Sequence, residues 1–124
     1  MTRTILITTS SFDIQAAEVQ TLIGAGYTIK KKPYARRLSE EEVRALLTPD
    51  VIGIIAGLEP LTRTVLSSAK NLRIISRCGT GLDNVDLDAA AELKMTIRNT
   101  PDAPAAAVAE LTIGLILACL RHIP

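Results

Sequence analysis

The chain has 124 residues, of which 48% are hydrophobic and 22% are charged, and its formal net charge is +1. These values indicate one soluble domain with a buried core. A net charge so close to zero provides no field that would attract nucleic acid or an anionic membrane. Aromatic residues make up only 2% of the chain, which leaves few rings to stack on nucleic-acid bases.

The two cysteines, Cys78 and Cys119, lie far apart in sequence and in apolar surroundings. We expect both to be packed as small hydrophobic side chains and to stay reduced, as in a cytoplasmic protein. No Cys or His residues have the spacing of metal ligands, so we expect no metal site.

The first predicted elements are a strand and a helix. Residues 4–9 are β-branched and apolar, which predicts a strand buried on both faces. Apolar residues then recur at helical spacing through residues 14–23, and Ser10, Ser11 and Asp13 offer N-caps for this helix.

A second strand, a second helix and a third strand follow in the sequence. Residues 27–33 are half polar, which predicts a short strand at a sheet edge. Ser39 and Glu42 have the spacing of a capping box and predict a helix that continues to Leu47. Residues 51–57 are fully apolar and predict a central strand.

The same alternation continues to residue 99. The sequence predicts helices at 61–69 and 86–93, and strands at 72–76 and 95–99. Strands that alternate with helices at these spacings indicate a parallel sheet with helices on both faces. We therefore predict an α/β fold, a flavodoxin-like doubly wound parallel sheet of about five strands, followed by a C-terminal linking helix.

The last helix, predicted for residues 105–121, is apolar on nearly every side, and Glu110 is its only charged residue before Arg121. At about 16 residues it is shorter than the ~20 that span a bilayer, so we expect no membrane insertion. A surface helix of a closed domain has only one apolar stripe. We therefore interpret this helix as buried against a second domain or a second subunit, for example in a homodimer formed through residues 105–121.

The loop after the strand at 72–76 contains a Gly-x-Gly pair, Gly79 and Gly81. Ligands of parallel sheets bind beyond the carboxyl ends of strands, and two glycines allow successive backbone N–H groups to point at one anion. Arg77 would add a positive charge. The alternative is a simple turn from strand to helix. A dinucleotide-binding loop is rejected, because Asn84 stands where the third glycine belongs.

Residues 72–123, LRIISRCGTGLDNVDLDAAAELKMTIRNTPDAPAAAVAELTIGLILACLRHI, resemble the D-isomer-specific 2-hydroxyacid dehydrogenases. The resemblance extends in particular to the subgroup that contains phosphoglycerate dehydrogenases. Its motifs are G-T-G-x-D-N-V-D, N-T-P and A-V-A-E at their usual separations, and residues 57–66 resemble the same family more loosely.

The resemblance implies a two-domain, NAD-dependent enzyme that acts on a small 2-hydroxy or 2-keto acid. Residues 1–100 would form the substrate-binding domain, and residues 101–124 would lead towards a Rossmann domain that binds NAD and that this chain lacks. The substrate carboxylate would bind the backbone of Thr80 and Gly81, with Gly79 shaping the loop and Asn99 holding it. Val108 would lie near the nicotinamide end of the cofactor.

The chain also departs from the family pattern. The catalytic Arg, Glu and His of the family lie downstream of these motifs, and His122, at the end of a helix, is not expected to be a general base. Ala56 and Gly57 stand where phosphoglycerate enzymes have an Arg-Ser pair. Arg77 remains a candidate for binding a phosphate, and Arg63 is nearby in sequence.

Three functions follow from these observations. The first is the substrate-binding domain of a truncated dehydrogenase, which alone would not catalyse hydride transfer and would bind acids weakly or not at all. The second is a stand-alone module that binds small anions or regulates another protein. The third is an interaction with nucleic acid or an acidic partner through the basic residues 30–37, although charge runs of this kind are usually solvated.

Overall fold

The structure, a computed structural model, describes residues 2–10 and 12–123. Five strands form one parallel sheet in the order β2-β1-β3-β4-β5. The strands are β1 (Thr4–Ile7), β2 (Thr28–Lys31), β3 (Val51–Ala56), β4 (Ile74–Arg77) and β5 (Thr96–Arg98). This order confirms the predicted flavodoxin-like α/β fold, and β2 lies at an edge as expected.

Four helices connect the strands and a fifth follows them: α1 (Ala17–Gly24), α2 (Glu40–Leu46), α3 (Arg63–Ser68), α4 (Leu87–Glu92) and α5 (Ala105–Leu120). The chain moves one way from β1 to β2 and then the opposite way from β2 through β5. Because crossovers between parallel strands are right-handed, this reversal places α1 on one face of the sheet and α2, α3 and α4 on the other.

The main hydrophobic core lies between the sheet and α2, α3 and α4. Its members are buried apolar residues of the sheet and of the helices that cover it, among them Leu6, Val43, Ile54, Leu66 and Ile75. Each such side chain contributes about 1.5–3 kcal/mol through burial. The core therefore fixes α2, α3 and α4 on this face, and with them the loops at the carboxyl ends of the strands.

The opposite face of the sheet is covered less completely. Successive strand residues point to opposite faces, so Ile74 of β4 points away from the core that contains Ile75. Ile74 is 40% exposed. The prediction of helices on both faces thus holds beside β1 and β2, whereas no helix of the described residues covers β4 on the α1 side.

Side-chain caps begin three of the helices. Ser39 and Glu42 form the predicted capping box of α2, and Thr62 and Asp86 cap α3 and α4. The predicted caps of α1 were wrong for the described residues. The helix begins only at Ala17, and its N-cap residue makes no side-chain hydrogen bond. Asp13 instead accepts a hydrogen bond from the amide of Gln15, and Ser11 lies outside the described residues.

Helix α5 contains no buried residue, and its leucine and isoleucine side chains are exposed on every side. The helix begins at Ala105 as predicted. Its exposed cysteine, Cys119, corrects the expectation that both thiols are packed, while Cys78 is half-buried; both are free thiols. Within residues 2–10 and 12–123, no helix is long and apolar enough to cross a membrane.

Most of the basic run at residues 30–37 makes local contacts. The Lys30 and Lys31 ammonium groups donate hydrogen bonds to backbone carbonyls of other elements. The Arg36 guanidinium forms an ion pair of 2.6 Å with Glu42 and lies over the Tyr34 ring. These contacts are those of a surface loop anchored to its neighbours.

The ion pair between Arg36 and Glu42 predicts a pH-dependent contribution to stability. Hydrogen bonds from the Arg36 guanidinium and the Ser39 amide lower the pKa of Glu42 from 4.5 to about 2. Because the pKa is lower in the folded state, the carboxylate stabilises the fold fully above pH 4.5, and this contribution is lost as the pH falls towards 2.

We therefore expect Glu42→Gln to lower the melting temperature at neutral pH, and the difference from wild type to shrink as the pH falls below 4.5. Glu41→Gln removes a charge from the same helical turn without removing this ion pair and is the control. Melting followed by circular dichroism across this pH range measures both effects. A difference that is constant with pH would contradict the assignment.

Candidate functional site

The Gly-x-Gly loop at the carboxyl end of β4 is fastened to the segment that follows β5. The Gly79 amide donates to the Thr100 hydroxyl at 2.9 Å, and the Thr100 amide donates to the Gly79 carbonyl at 3.0 Å. The Asn99 side-chain amide donates to the Thr80 carbonyl at 2.9 Å. The Thr80 hydroxyl donates to the Pro101 carbonyl at 3.2 Å. The loop is thus held by four hydrogen bonds from one neighbouring segment.

Two successive amides of the loop stay available. Among the described residues, no group accepts a hydrogen bond from the amides of Thr80 or Gly81, and both residues are exposed. The Gly79 amide and the Thr80 hydroxyl are both used within the protein. Any anion that binds this loop would therefore be bound by the Thr80 and Gly81 backbone, as the sequence predicts.

Gly79 occupies a position that only glycine fills without strain. Its φ is +142°, and an ideal Cβ at this position would lie 2.5 Å from Nη1 of Arg77. Residues with a side chain rarely adopt such a φ. The absent side chain therefore lets the guanidinium group of Arg77 pack directly against the loop.

Arg77 is almost completely buried, with 7% of its surface exposed. Its Nη1 donates to the Cys78 carbonyl, and its Nε donates to Oδ1 of Asn84 at 3.3 Å. The side-chain amide of Asn84 in turn donates to the carbonyls of Gly57 and Glu59 at 3.2 and 2.7 Å. Asn84 thus connects the guanidinium group at the end of β4 to the loop at the end of β3.

Glu59, in the loop after β3, is one of the most deeply buried side chains, with 1% of its surface exposed. Its Oε1 accepts hydrogen bonds from the Thr8 hydroxyl and from the Gly57 amide, the latter at 3.0 Å. A charged side chain at this depth is stable only when such donors replace water. Glu59 therefore joins the carboxyl ends of β1 and β3.

Two adjoining cavities open at the carboxyl edge of the sheet. The first has a volume of about 310 Å³, is lined by residues at the ends of β1, β2, β3 and β4, and spans the point between β1 and β3 where the strand order reverses. The second, of about 410 Å³, is lined by Arg37, Leu58, Arg77, Gly81, Asp83 and Asn84. This reversal point is where doubly wound sheets bind ligands.

The structure brings most of the predicted site residues together. Arg77 and Gly81 line the second cavity, and Gly79, Thr80 and Asn99 build the loop at its rim. Val108 lines neither cavity; it is 57% exposed in the first turn of α5.

Arg63 and His122 do not belong to the site. The Arg63 guanidinium is paired with Glu92 at 2.5 Å, so this arginine joins α3 to α4 and lines neither cavity. His122 is exposed after α5 and also lines neither cavity.

The cavity residues that the sequence did not predict include Thr8, Lys32 and Arg37. All follow the apolar part of a predicted strand, and this order in the sequence could have predicted that they lie at the carboxyl edge of the sheet. The charge pattern of residues 30–37 indicates only a single surface patch. The sequence could not show that one member, Arg37, reaches the same space as Arg77.

The loop after β4 differs from a dinucleotide-binding loop in its charge and in its backbone donors. The carboxylate of Asp86 caps α4 and places negative charge at its N-terminus. A dinucleotide phosphate would have to bind at this same end of the helix. Only two successive loop amides are available, and the Gly79 amide is already bonded. No group of three His, Cys, Asp or Glu side chains within residues 2–10 and 12–123 is placed to hold a metal ion.

The fit of Gly79 against Arg77 predicts unequal effects of substitution in the loop. We expect Gly79→Ala to destabilise the fold by about 1–3 kcal/mol, because the positive φ and the contact with the guanidinium group both oppose a Cβ. Gly81→Ala is the control, since its Cβ would meet only the end of the Asp83 side chain, at 3.2 Å. Urea unfolding measures both; equal losses would contradict this role for Gly79.

Comparison with known proteins identifies the family of the chain. Residues 5–114 match the catalytic domain of the D-isomer specific 2-hydroxyacid dehydrogenases. Over 85 residues the chain is 42% identical to D-3-phosphoglycerate dehydrogenase of Methanocaldococcus jannaschii, covering 68% of this chain and 16% of that protein. Over 89 residues it is 38% identical to hydroxypyruvate reductase of Thermotoga maritima, covering 72% of this chain and 29% of that protein.

Solved structures show the same relationship. The NAD⁺-bound 3-phosphoglycerate dehydrogenase of Entamoeba histolytica superposes with a TM-score of 0.79 and 26% identity, covering 95% of this chain and 39% of that one. The chain spans less than a third of the length of the curated relatives named above. The sequence motifs, the sheet order and these matches agree, and the chain belongs to the D-isomer specific 2-hydroxyacid dehydrogenase family through its catalytic domain.

Proposed function

We propose that this chain is the substrate-binding domain of an NAD-dependent D-2-hydroxyacid dehydrogenase and that the amides of Thr80 and Gly81 bind the substrate carboxylate. The observation that carries the proposal is the pair of unbonded successive amides on a loop that Asn99 and Thr100 hold in place. Two N–H donors fixed in advance suit the two oxygens of a carboxylate.

Arg77 supports this assignment through its charge. Its guanidinium group lies against the Gly79 backbone and, in the described part of the chain, forms no ion pair with a carboxylate. Carbonyl and amide oxygens satisfy its hydrogen bonds but do not neutralise its positive charge. An anion at the loop would therefore be stabilised by the amides and by this nearby charge.

The reaction of the whole enzyme is proposed from the relatives. A phosphoglycerate dehydrogenase and a hydroxypyruvate reductase are among them, so the substrate would be a small 2-hydroxy or 2-keto acid. Residues 1–100 would form the substrate-binding domain of this cytoplasmic enzyme. Residues 101–124 would lead to a second domain that holds NAD, with Val108 near the boundary between them.

We also propose that α5 is covered by a second body in the whole enzyme, and that two copies associate through residues 105–121. Leu111, Leu115 and Leu120 are 63%, 57% and 70% exposed. Apolar surfaces of this extent are typical of interfaces. Because the apolar residues lie on every side of α5, contact with more than one neighbouring surface would be needed to bury them.

Binding of a carboxylate is the first test of the proposed function. D-Lactate titrated into the ¹⁵N-labelled chain should shift the Thr80 and Gly81 amide resonances, with weak affinity. Asn99→Ala should weaken binding by about threefold to tenfold, because it removes the hydrogen bond that holds the Thr80 carbonyl. Asn71→Ala is the matched control, since its side-chain amide also donates to a backbone carbonyl, that of Pro49, outside both cavities.

Two other results of this titration would change the interpretation. If neither amide responds at high lactate concentration, the carboxylate assignment is wrong. If the affinity is micromolar and saturable in this chain alone, a stand-alone anion-binding module is favoured over a domain that needs a partner.

Association through α5 has its own test. Sedimentation velocity should show self-association of the chain that increases with concentration, and Leu115→Lys should shift the protein towards monomer by placing a charge in the apolar surface. Ile23→Lys, at an apolar residue of α1 that is 42% exposed, is the control and should leave association unchanged. A wild-type chain that stays monomeric at high concentration would contradict the dimer.

A further inference from the structure

The two cavities share three lining residues: Arg37, Leu58 and Arg77. The second cavity is also lined by Gly81, whose amide is proposed to bind the substrate carboxylate. An acid bound at this amide would therefore extend from the rim into a space that two guanidinium groups line. Leu58, which is 61% exposed and also lines this space, offers an apolar surface for the carbon atoms of such an acid.

Positive charge exceeds negative charge in this space. Together the two linings include three basic groups, Lys32, Arg37 and Arg77, against the two carboxyl groups of Glu59 and Asp83. Glu59 is occupied by the Thr8 hydroxyl and the Gly57 amide. An apolar or uncharged substrate would leave this excess uncompensated, whereas an anion would balance it.

Arg37 differs from the other basic residues of the run at 30–37. The Lys30, Lys31 and Lys32 ammonium groups donate to carbonyls, and Arg36 is paired with Glu42. Among the described residues, none accepts a hydrogen bond from the Arg37 guanidinium or forms an ion pair with it. An unpaired guanidinium at a cavity wall is suited to bind a carboxylate or phosphate through two parallel hydrogen bonds.

We propose that Arg37 binds a second anionic group at the far end of the substrate and thereby selects a 2-hydroxy acid that has two anionic groups. The inference rests on the proposed function, because it takes the Thr80 and Gly81 amides as the site of the first carboxylate. Arg37 is supplied by the loop between β2 and α2, whereas the residues after β3, Gly57 and Leu58, carry no charge. The second group is a carboxylate or a phosphate, since the same guanidinium chemistry binds both.

Three acids distinguish the possibilities in titrations of the ¹⁵N-labelled chain at low ionic strength. D-Lactate has one anionic group, D-malate has a second carboxylate, and D-3-phosphoglycerate has a phosphate. We expect one or both of the acids with two anionic groups to bind about fivefold or more tightly than D-lactate, as followed at the Thr80 and Gly81 amides. The preference should decrease with added salt, because Arg37 is exposed.

Arg37→Gln should reduce this preference to about twofold or less, while D-lactate still binds. Arg44→Gln is the matched control: it removes the same charge from the exposed surface of α2, and Arg44 lines neither cavity. Both residues are exposed, and ¹⁵N correlation spectra report whether each variant keeps the fold. Whether D-malate or D-3-phosphoglycerate depends more strongly on Arg37 identifies the second group.

The outcomes separate this inference from the proposed function. If all three acids shift the Thr80 and Gly81 amides with equal affinity, the carboxylate site stands and the role of Arg37 is overturned. The same holds if Arg44→Gln lowers the preference as much as Arg37→Gln, because the effect is then general electrostatic attraction. If no acid shifts these amides, the proposed function fails first and the inference fails with it.

Discussion

The site depends on a buried guanidinium group that has no carboxylate partner among the described residues. Burying an unpaired charge costs free energy. Hydrogen bonds from Arg77 to the Cys78 carbonyl and to the Asn84 side chain offset part of this cost. These acceptors stabilise the charge without cancelling it. A positive potential therefore persists at the carboxyl end of β4, where the loop leaves two amides unbonded.

The buried charge of Arg77 explains which residues surround it. Gly79 has no side chain where the guanidinium group approaches the loop, and Asn84 has an amide that accepts from Arg77 while donating to Gly57 and Glu59. The carboxylate of Glu59 then joins the end of β3 to that of β1. The ends of three strands are thus connected by one polar network, which orients Arg77 and limits the movement of the cavity walls.

The sequence predicted the sheet and the position of the Gly-x-Gly loop because both have strong local patterns: apolar runs for the strands, and a glycine pair beside Arg77 for the loop. It did not predict the start of α1, where no side-chain cap marks the first turn. It did not predict that Arg37 lines the cavity or that Glu59 bonds to Thr8, because these positions arise from contacts between segments that are distant in sequence. Hydrophobic periodicity reports which face a residue occupies, not which charged group it meets across a cavity.

The segment that holds the Gly-x-Gly loop leads directly into α5, so packing on α5 would affect anion binding at the loop. Asn99, Thr100 and Pro101 hold the loop through side-chain and backbone hydrogen bonds, and α5 begins only four residues after Pro101, at Ala105. A body that packs on α5 would therefore constrain the same short segment that positions the Thr80 and Gly81 amides. It would also remove water from a rim that is open in this chain, and amides bind an anion more strongly when water is excluded. Substrate affinity and the packing of α5 should accordingly be coupled, because both act on residues 99–105.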